Sequence, residues 1–145
     1  MPKESYSKEE LMKYRLETAE QMLADSEMLL RNDSFKGSLN RSYYAMFTSI
    51  RALLALDGKD FKSHGDVIGE FNRTYIKSGI LETKFSKYIQ KAFLIRNNAD
   101  YQDFYIVTKT DTKTQLNNAQ ELLETISQYV TKNVKKNSNE KNTGR

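Results

Sequence analysis

Cysteine and tryptophan are missing from this chain, and proline and histidine occur once each, at Pro2 and His64. Without cysteine, neither a disulfide framework nor a thiolate zinc site can form, and a reducing, cytoplasmic location is expected. A single histidine leaves no His-rich ligand set, and the carboxylates show no distinctive metal or glycosidase arrangement. No metal and no cofactor is therefore expected. No apolar run approaches the roughly 20 residues of a membrane-spanning helix, and the stretch from Met1 to Glu10 has no apolar signal region. The sequence predicts a soluble, unexported protein with no membrane partner.

A length of 145 residues suits one domain with a real core. The formal charge of +4 resides in residues 131–145, which hold five Lys/Arg and one Glu, so the rest of the chain is neutral. Within that rest, residues 31–96 carry twelve Lys/Arg against six Asp/Glu, while residues 1–30 and 97–130 are each acidic by three. A basic middle favours an anionic partner at the central helices; a solvated face balanced by acidic neighbours is the structural alternative.

Apolar residues recur at helical spacing along most of the chain. Ser7 and Glu10 have the spacing of a capping box, and Leu11, Leu16, Ala19, Leu23 and Leu30 follow, predicting a helix over about 8–31. After the turn residues Asn32-Asp33-Ser34, one face stays apolar through Phe35, Leu39, Tyr43, Met46, Ile50, Leu53 and Leu54, predicting a helix over about 35–56 that Asp57-Gly58 ends. Ser63 with Asp66 opens a half-length helix carrying Val67, Ile68, Phe71, Tyr75 and Ile76, stopped by Ser78-Gly79. Leu81, Phe85, Tyr88, Ile89, Ala92, Phe93 and Ile95 mark the next helix, ending near residue 103. Thr108 with Asp111 starts a last one, with Leu116, Ala119, Leu122, Leu123, Ile126 and Val130 on its apolar face. No strand alternation is present. The fold expected is all-α, an antiparallel four-helix up-down bundle with an additional short helix, over residues 1–130. Residues 131–145, apolar only at Val134, are expected to form a disordered basic tail.

The segment from Lys91 to Tyr105 ends an apolar-periodic helix on Arg96, Asn97, Asn98, Ala99, Asp100 and Tyr101. Arg96 reads as a phosphate contact or as half of an ordinary i,i+4 ion pair with Asp100. Tyr101 lies about 140° around the helix from Arg96. A site shared by the two therefore needs the helix to bend or end near Asn97-Asn98, or a second protomer to contribute the partner group. Tyr101 and Tyr105, also four apart, are candidates for an interior aromatic pair. On the second helix, consecutive Tyr43 and Tyr44 present one ring inward and one sideways. With Arg41 they pack a core or dimer face, or line a cleft for phosphate and a stacked base. His64, beside Ser63 and Gly65, reads as a helix-start residue, or as a proton carrier if folding brings it to Arg96.

Arg96-Asn97 at a helix end, Tyr43-Tyr44-Ala45-Met46-Phe47 within an earlier helix and Ser63-His64-Gly65 between them resemble the HEPN family in that order. The likeness covers roughly residues 10–130 and is closest to small stand-alone, UPF0332-like members. It implies a helical bundle that forms a homodimer, with two sites facing each other across a cleft. In active members the motif is Arg, four to six residues, then His, and the chemistry is metal-independent RNA cleavage in which Arg stabilises developing negative charge and His moves protons. The resemblance implies Arg96 as oxyanion stabiliser, Asn97 as phosphate or ribose contact, and Tyr101 at the His position. A phenol with a reference pKa of about 10 is a poor base there. The implied function is a dimeric RNA- or nucleotide-binding module of a toxin-antitoxin type system, paired with a nucleotidyltransferase-type partner. Arg41, Tyr43, Tyr44 and His64 would line its site, and Tyr101 or Tyr105 would accept a nucleotide. The alternatives are an active endoribonuclease toxin using Arg96, with Tyr101 or His64 as substitute proton carrier, and a purely structural helical dimer.

Overall fold

The computed structural model describes residues 5–143, with side chains described as far as Val134. Five α-helices make up the described chain: α1 (Lys8–Arg31), α2 (Phe35–Leu56), α3 (His64–Phe71), α4 (Thr83–Tyr101) and α5 (Lys109–Thr143). Among the described residues there is no strand. The all-α expectation holds.

Local capping sets the helix starts. The Ser7 hydroxyl accepts from the Glu10 N–H at 3.0 Å, and the Glu10 carboxylate accepts from the Ser7 N–H at 3.4 Å, closing a reciprocal capping box on α1. Ser63 accepts from the Asp66 N–H at 3.1 Å, and Thr108 from the Asp111 N–H at 3.1 Å, at the starts of α3 and α5. Both hydroxyls satisfy donors that the first helical turn leaves without carbonyls.

α2 is the central element. Leu39, Met46, Ile50, Leu53 and Leu54 on it are essentially inaccessible, because α1, α4, α5 and α3 all pack against it. Its partnership with α1 runs antiparallel: Arg15 donates to the Arg51 carbonyl, Thr48 to the Met22 sulfur, and Ser26 and Ser38 each donate to the other's carbonyl at 2.8 Å. The two buried serines have little bulk, so the backbones approach closely and each hydroxyl is satisfied across the interface. α4 also runs antiparallel to α2, with Lys36 near Asp100 and Tyr43 near Phe93. Gln115 ties α5 to α2, donating to the Leu39 carbonyl at 2.8 Å and the Ser42 hydroxyl at 2.7 Å.

Three features depart from the periodicity. The half-length helix reaches Ile76 as expected but is α-helical only to Phe71; Asn72–Ile76 forms a π-helical turn that buries Tyr75 and lets its hydroxyl donate to Asp57 at 2.5 Å. α4 ends at Tyr101 rather than near 103, and the connection to α5 turns through Phe104 at φ 63°, in the left-handed region. α5 continues past residue 130, the expected start of a tail: Val134 packs against the core, and Asn133 donates to the Tyr129 carbonyl at 2.8 Å. The side chains of residues 135–145 lie outside the described residues.

Candidate functional site

Burial decides the roles of the two consecutive tyrosines. Tyr43 faces the core and Tyr44 sits half-buried beside it, their rings edge to face at 5.0 Å between centroids. Arg96, reaching over from α4, places its guanidinium carbon 5.4 Å from the Tyr43 ring centre and 5.0 Å from that of Tyr44. At those distances the cation lies within the attraction of both rings. The anticipated pair with Asp100 is present, Arg96 Nε to Asp100 Oδ2 at 3.6 Å, which is too long for a hydrogen bond. Arg96 Nε is buried without a hydrogen-bond partner. The side chain as a whole keeps 22 % of its surface exposed.

His64 joins the same cluster. Its Nδ1 lies 2.9 Å from the Tyr43 hydroxyl, and its ring stacks on Phe93, three residues before Arg96, with 3.6 Å between centroids and 18° between planes. Phe47 lies nearly parallel to it, 6.1 Å away. Burial pushes the imidazole below its ordinary value of 6.5, and the positive charge of Arg96 pushes it further the same way, so the ring is neutral at pH 7. Burial pushes the Tyr43 phenol up to about 12, against the pull of Arg96, and that hydroxyl keeps its proton. The fold thus brings together Arg96, Tyr43, Tyr44 and His64 from α4, α2 and the first turn of α3.

Other sequence candidates lie apart from this cluster or at its edge. Tyr101 closes α4 with 80 % of its surface exposed, so the interior pairing expected for Tyr101 and Tyr105 does not form. Nor does α4 bend or end at Asn97-Asn98: it stays helical to Tyr101, and Asn98 accepts a hydrogen bond from Gln102 at 3.1 Å. The helix therefore holds Arg96 and Tyr101 on different sides. Asn97 is half-buried, one residue beyond Arg96, and Arg41 is exposed on α2 with no ion pair among the described residues. Phe47 and Phe93, read from sequence only as apolar helix positions, prove to be the walls of the histidine; the spacing of Phe93 to Arg96, one helical turn, was the available signal. Among the described residues no group of three or more His, Asp or Glu is arranged to hold a metal ion, and no helix is long and apolar enough to cross a membrane.

Comparison with known proteins places this arrangement in a family. The chain is 29 % identical to a UPF0332 protein of Thermotoga maritima, over 85 % of its own length and 93 % of the relative's. It is 31 % identical to a Methanocaldococcus jannaschii protein named "Putative toxin MJ0142", over 86 % of both chains. A Pyrococcus horikoshii relative, UPF0332 protein PH1297, is 36 % identical over 56 % of each chain. A sequence model of the HEPN domain matches residues 12–130, which span α2, α3, α4 and nearly all of α1. On that match, the helical chain that gathers Arg96, Tyr43 and His64 belongs to the HEPN domain family.

Proposed function

We propose that this protein is a dimeric RNA- or nucleotide-binding module of a toxin-antitoxin type system, with Arg96 as its phosphate contact. The observation that carries the reading is the state of the Arg96 guanidinium: two tyrosine rings fix it, its one carboxylate neighbour is 3.6 Å away, and its Nε has no partner. Aromatic faces hold a guanidinium without using its N–H groups, which leaves donors for a planar, bidentate grip on phosphate. Tyr44, half-buried, adds ring surface against which a base can stack. The family match and the toxin-named relative support the toxin-like setting.

Binding is favoured over cleavage because position 101 offers an exposed phenol where active members of the family have histidine. The partner in this reading is a nucleotidyltransferase-type protein, and Tyr101 is the more accessible acceptor for a transferred nucleotide, since Tyr105 is half-buried. Dimerisation uses the exposed apolar side chains of Leu94, Tyr101, Phe104 and Ile106 around the end of α4.

Titration of a labelled unstructured oligouridylate at low salt tests the assignment, alongside incubation of mixed cellular RNA in EDTA. The expected result is binding by the wild type, at least tenfold weaker in Arg96→Ala, with the RNA left intact. Cleavage that Arg96→Ala abolishes would establish the ribonuclease reading in its place. Absence of binding to RNA and nucleotides alike would leave only the structural dimer.

A further inference from the structure

His64 and Arg96 are 32 positions apart in sequence, yet Tyr43 touches both, one through its hydroxyl and the other through its ring. We infer that His64 is the second anion contact of the Arg96 site, its Nε2 facing the phosphate ester that Arg96 holds while Tyr43 anchors its Nδ1. This rests on the reading of Arg96 as the phosphate contact.

The imidazole is built into place rather than left as a loop end. Ser63 caps α3 and fixes the backbone at His64, Phe93 lies flat against one face of the ring, and the Tyr43 hydroxyl takes up Nδ1. Nε2 has no hydrogen-bond partner among the described residues. A neutral imidazole has two tautomers. An anion selects the one in which Nδ1 accepts from the phenol and Nε2–H donates outward. The protonated phenol of Tyr43 is suited to that donation.

The titratable and charged groups facing the imidazole are Tyr43 from α2 and Arg96 from α4; Phe47 and Phe93 add only apolar surface. Without ligand, the Arg96 field and burial disfavour the imidazolium. A phosphate seated between Arg96 and the imidazole offsets that field and accepts from His64, so it raises the affinity of the ring for a proton; on protonation Nδ1–H donates and the Tyr43 hydroxyl turns to accept. By linkage, affinity for a phosphodiester, whose own charge does not change in this range, is constant at alkaline pH and rises as pH falls through the pKa of the bound form. It levels off below the pKa of the free form. Each unit between the two pKa values corresponds to about a tenfold gain. A monoester such as AMP takes up a proton of its own at about pH 6, so for it the histidine resonance and not the affinity is the readout.

Because the chain has one histidine, its Cε1–H gives a single NMR resonance whose titration needs no assignment. The experiment follows that resonance from pH 5 to 8.5 in the full chain, free and saturated with AMP or with an octa-uridylate, binding being measured independently by fluorescence anisotropy or calorimetry. We expect a free-form pKa below 6.5 that rises by about one unit when probe is bound. Response to both probes identifies RNA phosphates as accepted ligands, and response to AMP alone restricts the site to free nucleotide. His64→Gln, which removes the titrating ring, should bind more weakly than the wild type at pH 8 and lose most of the gain that the wild type shows at pH 5.5. Binding that leaves the histidine pKa unmoved overturns the inference while the Arg96 reading stands. Failure of both probes to bind overturns both readings. The wild-type titration decides the matter even if a variant fails to fold.

Discussion

Tyr43 meets three helices with one side chain, and its environment explains why a tyrosine rather than a phenylalanine stands there. Its ring is buried on α2 and supports Arg96 of α4, while its hydroxyl finds the first residue of α3. Tyr43→Phe keeps the ring and removes the tether, so it should cost about 1 kcal/mol in chemical denaturation, the usual worth of one such bond. Glu70 is a second instructive residue. It is buried on α3, yet it accepts from Lys59 at 2.5 Å, Thr74 at 2.7 Å and Arg73. Hydrogen bonds from Lys59, Arg73 and Thr74, in that order, hold its carboxyl down to about 2 from an ordinary 4.5. A lowered folded-state pKa stabilises the fold fully above the unfolded value and loses that contribution as pH falls through the folded one. The urea midpoint of the wild type should therefore fall between pH 4.5 and about pH 2. Glu70→Gln should be less stable at pH 7 and show a flatter profile across the same window. Parallel profiles for the two proteins would remove Glu70 from the acid response.

At the scale of elements, what the sequence reveals follows how local the cause is. Ser7 with Glu10, Ser63 with Asp66 and Thr108 with Asp111 are contacts three residues apart, and each marks the helix start that the structure shows. Ser7→Ala should remove the hydroxyl arm of the α1 capping box, leaving the backbone N–H of residue 7 to Glu10, and cost about 1 kcal/mol in a thermal melt. The extension of α5 past Val130 depends on Val134 reaching the core and is not signalled by the polar run around it. The π-helical turn is similarly hidden, because it reflects a compromise between the burial of Phe71 and Tyr75 and the hydrogen bond of Tyr75 to distant Asp57. The site divides along the same line. Arg96, Tyr43 and Tyr44 stand out in sequence by type and spacing, whereas the approach of His64 comes from packing α3 against α2 and is invisible to any periodicity.

For the whole molecule, the surface around the end of α4 is the place where stability and assembly pull apart. Phe104 is 100 % exposed and adopts a φ of 63° that costs a bulky side chain free energy, with Ile106 80 % exposed beside it. Phe104→Gly relieves that backbone cost and, on these grounds, should leave the isolated protomer as stable or more so, by up to about 1 kcal/mol. In the dimer proposed above, the same change should weaken association, seen as a concentration-dependent shift in sedimentation. A variant that loses stability and keeps its association would move the interface elsewhere. The core offers the reverse case: Leu53→Ala, at a fully buried position on α2, should cost 2 to 5 kcal/mol, roughly the range for such truncations, wherever the dimer forms.

The π-helical turn also sets a rule for chain length. A turn of that kind holds one residue more than an α-helical turn. A turn that takes one extra residue completes its rotation over more residues, so deleting one residue of Asn72–Ile76 would restore regular α-helix with the stretches on either side close to their present orientation. His64 would stay at Tyr43, and the side chain left at the place of Tyr75 would decide whether Asp57 keeps its partner. The π-helical turn is in this sense a length buffer: a one-residue change within it is taken up locally, whereas the same change inside a regular α-helical stretch turns everything beyond it by about 100°.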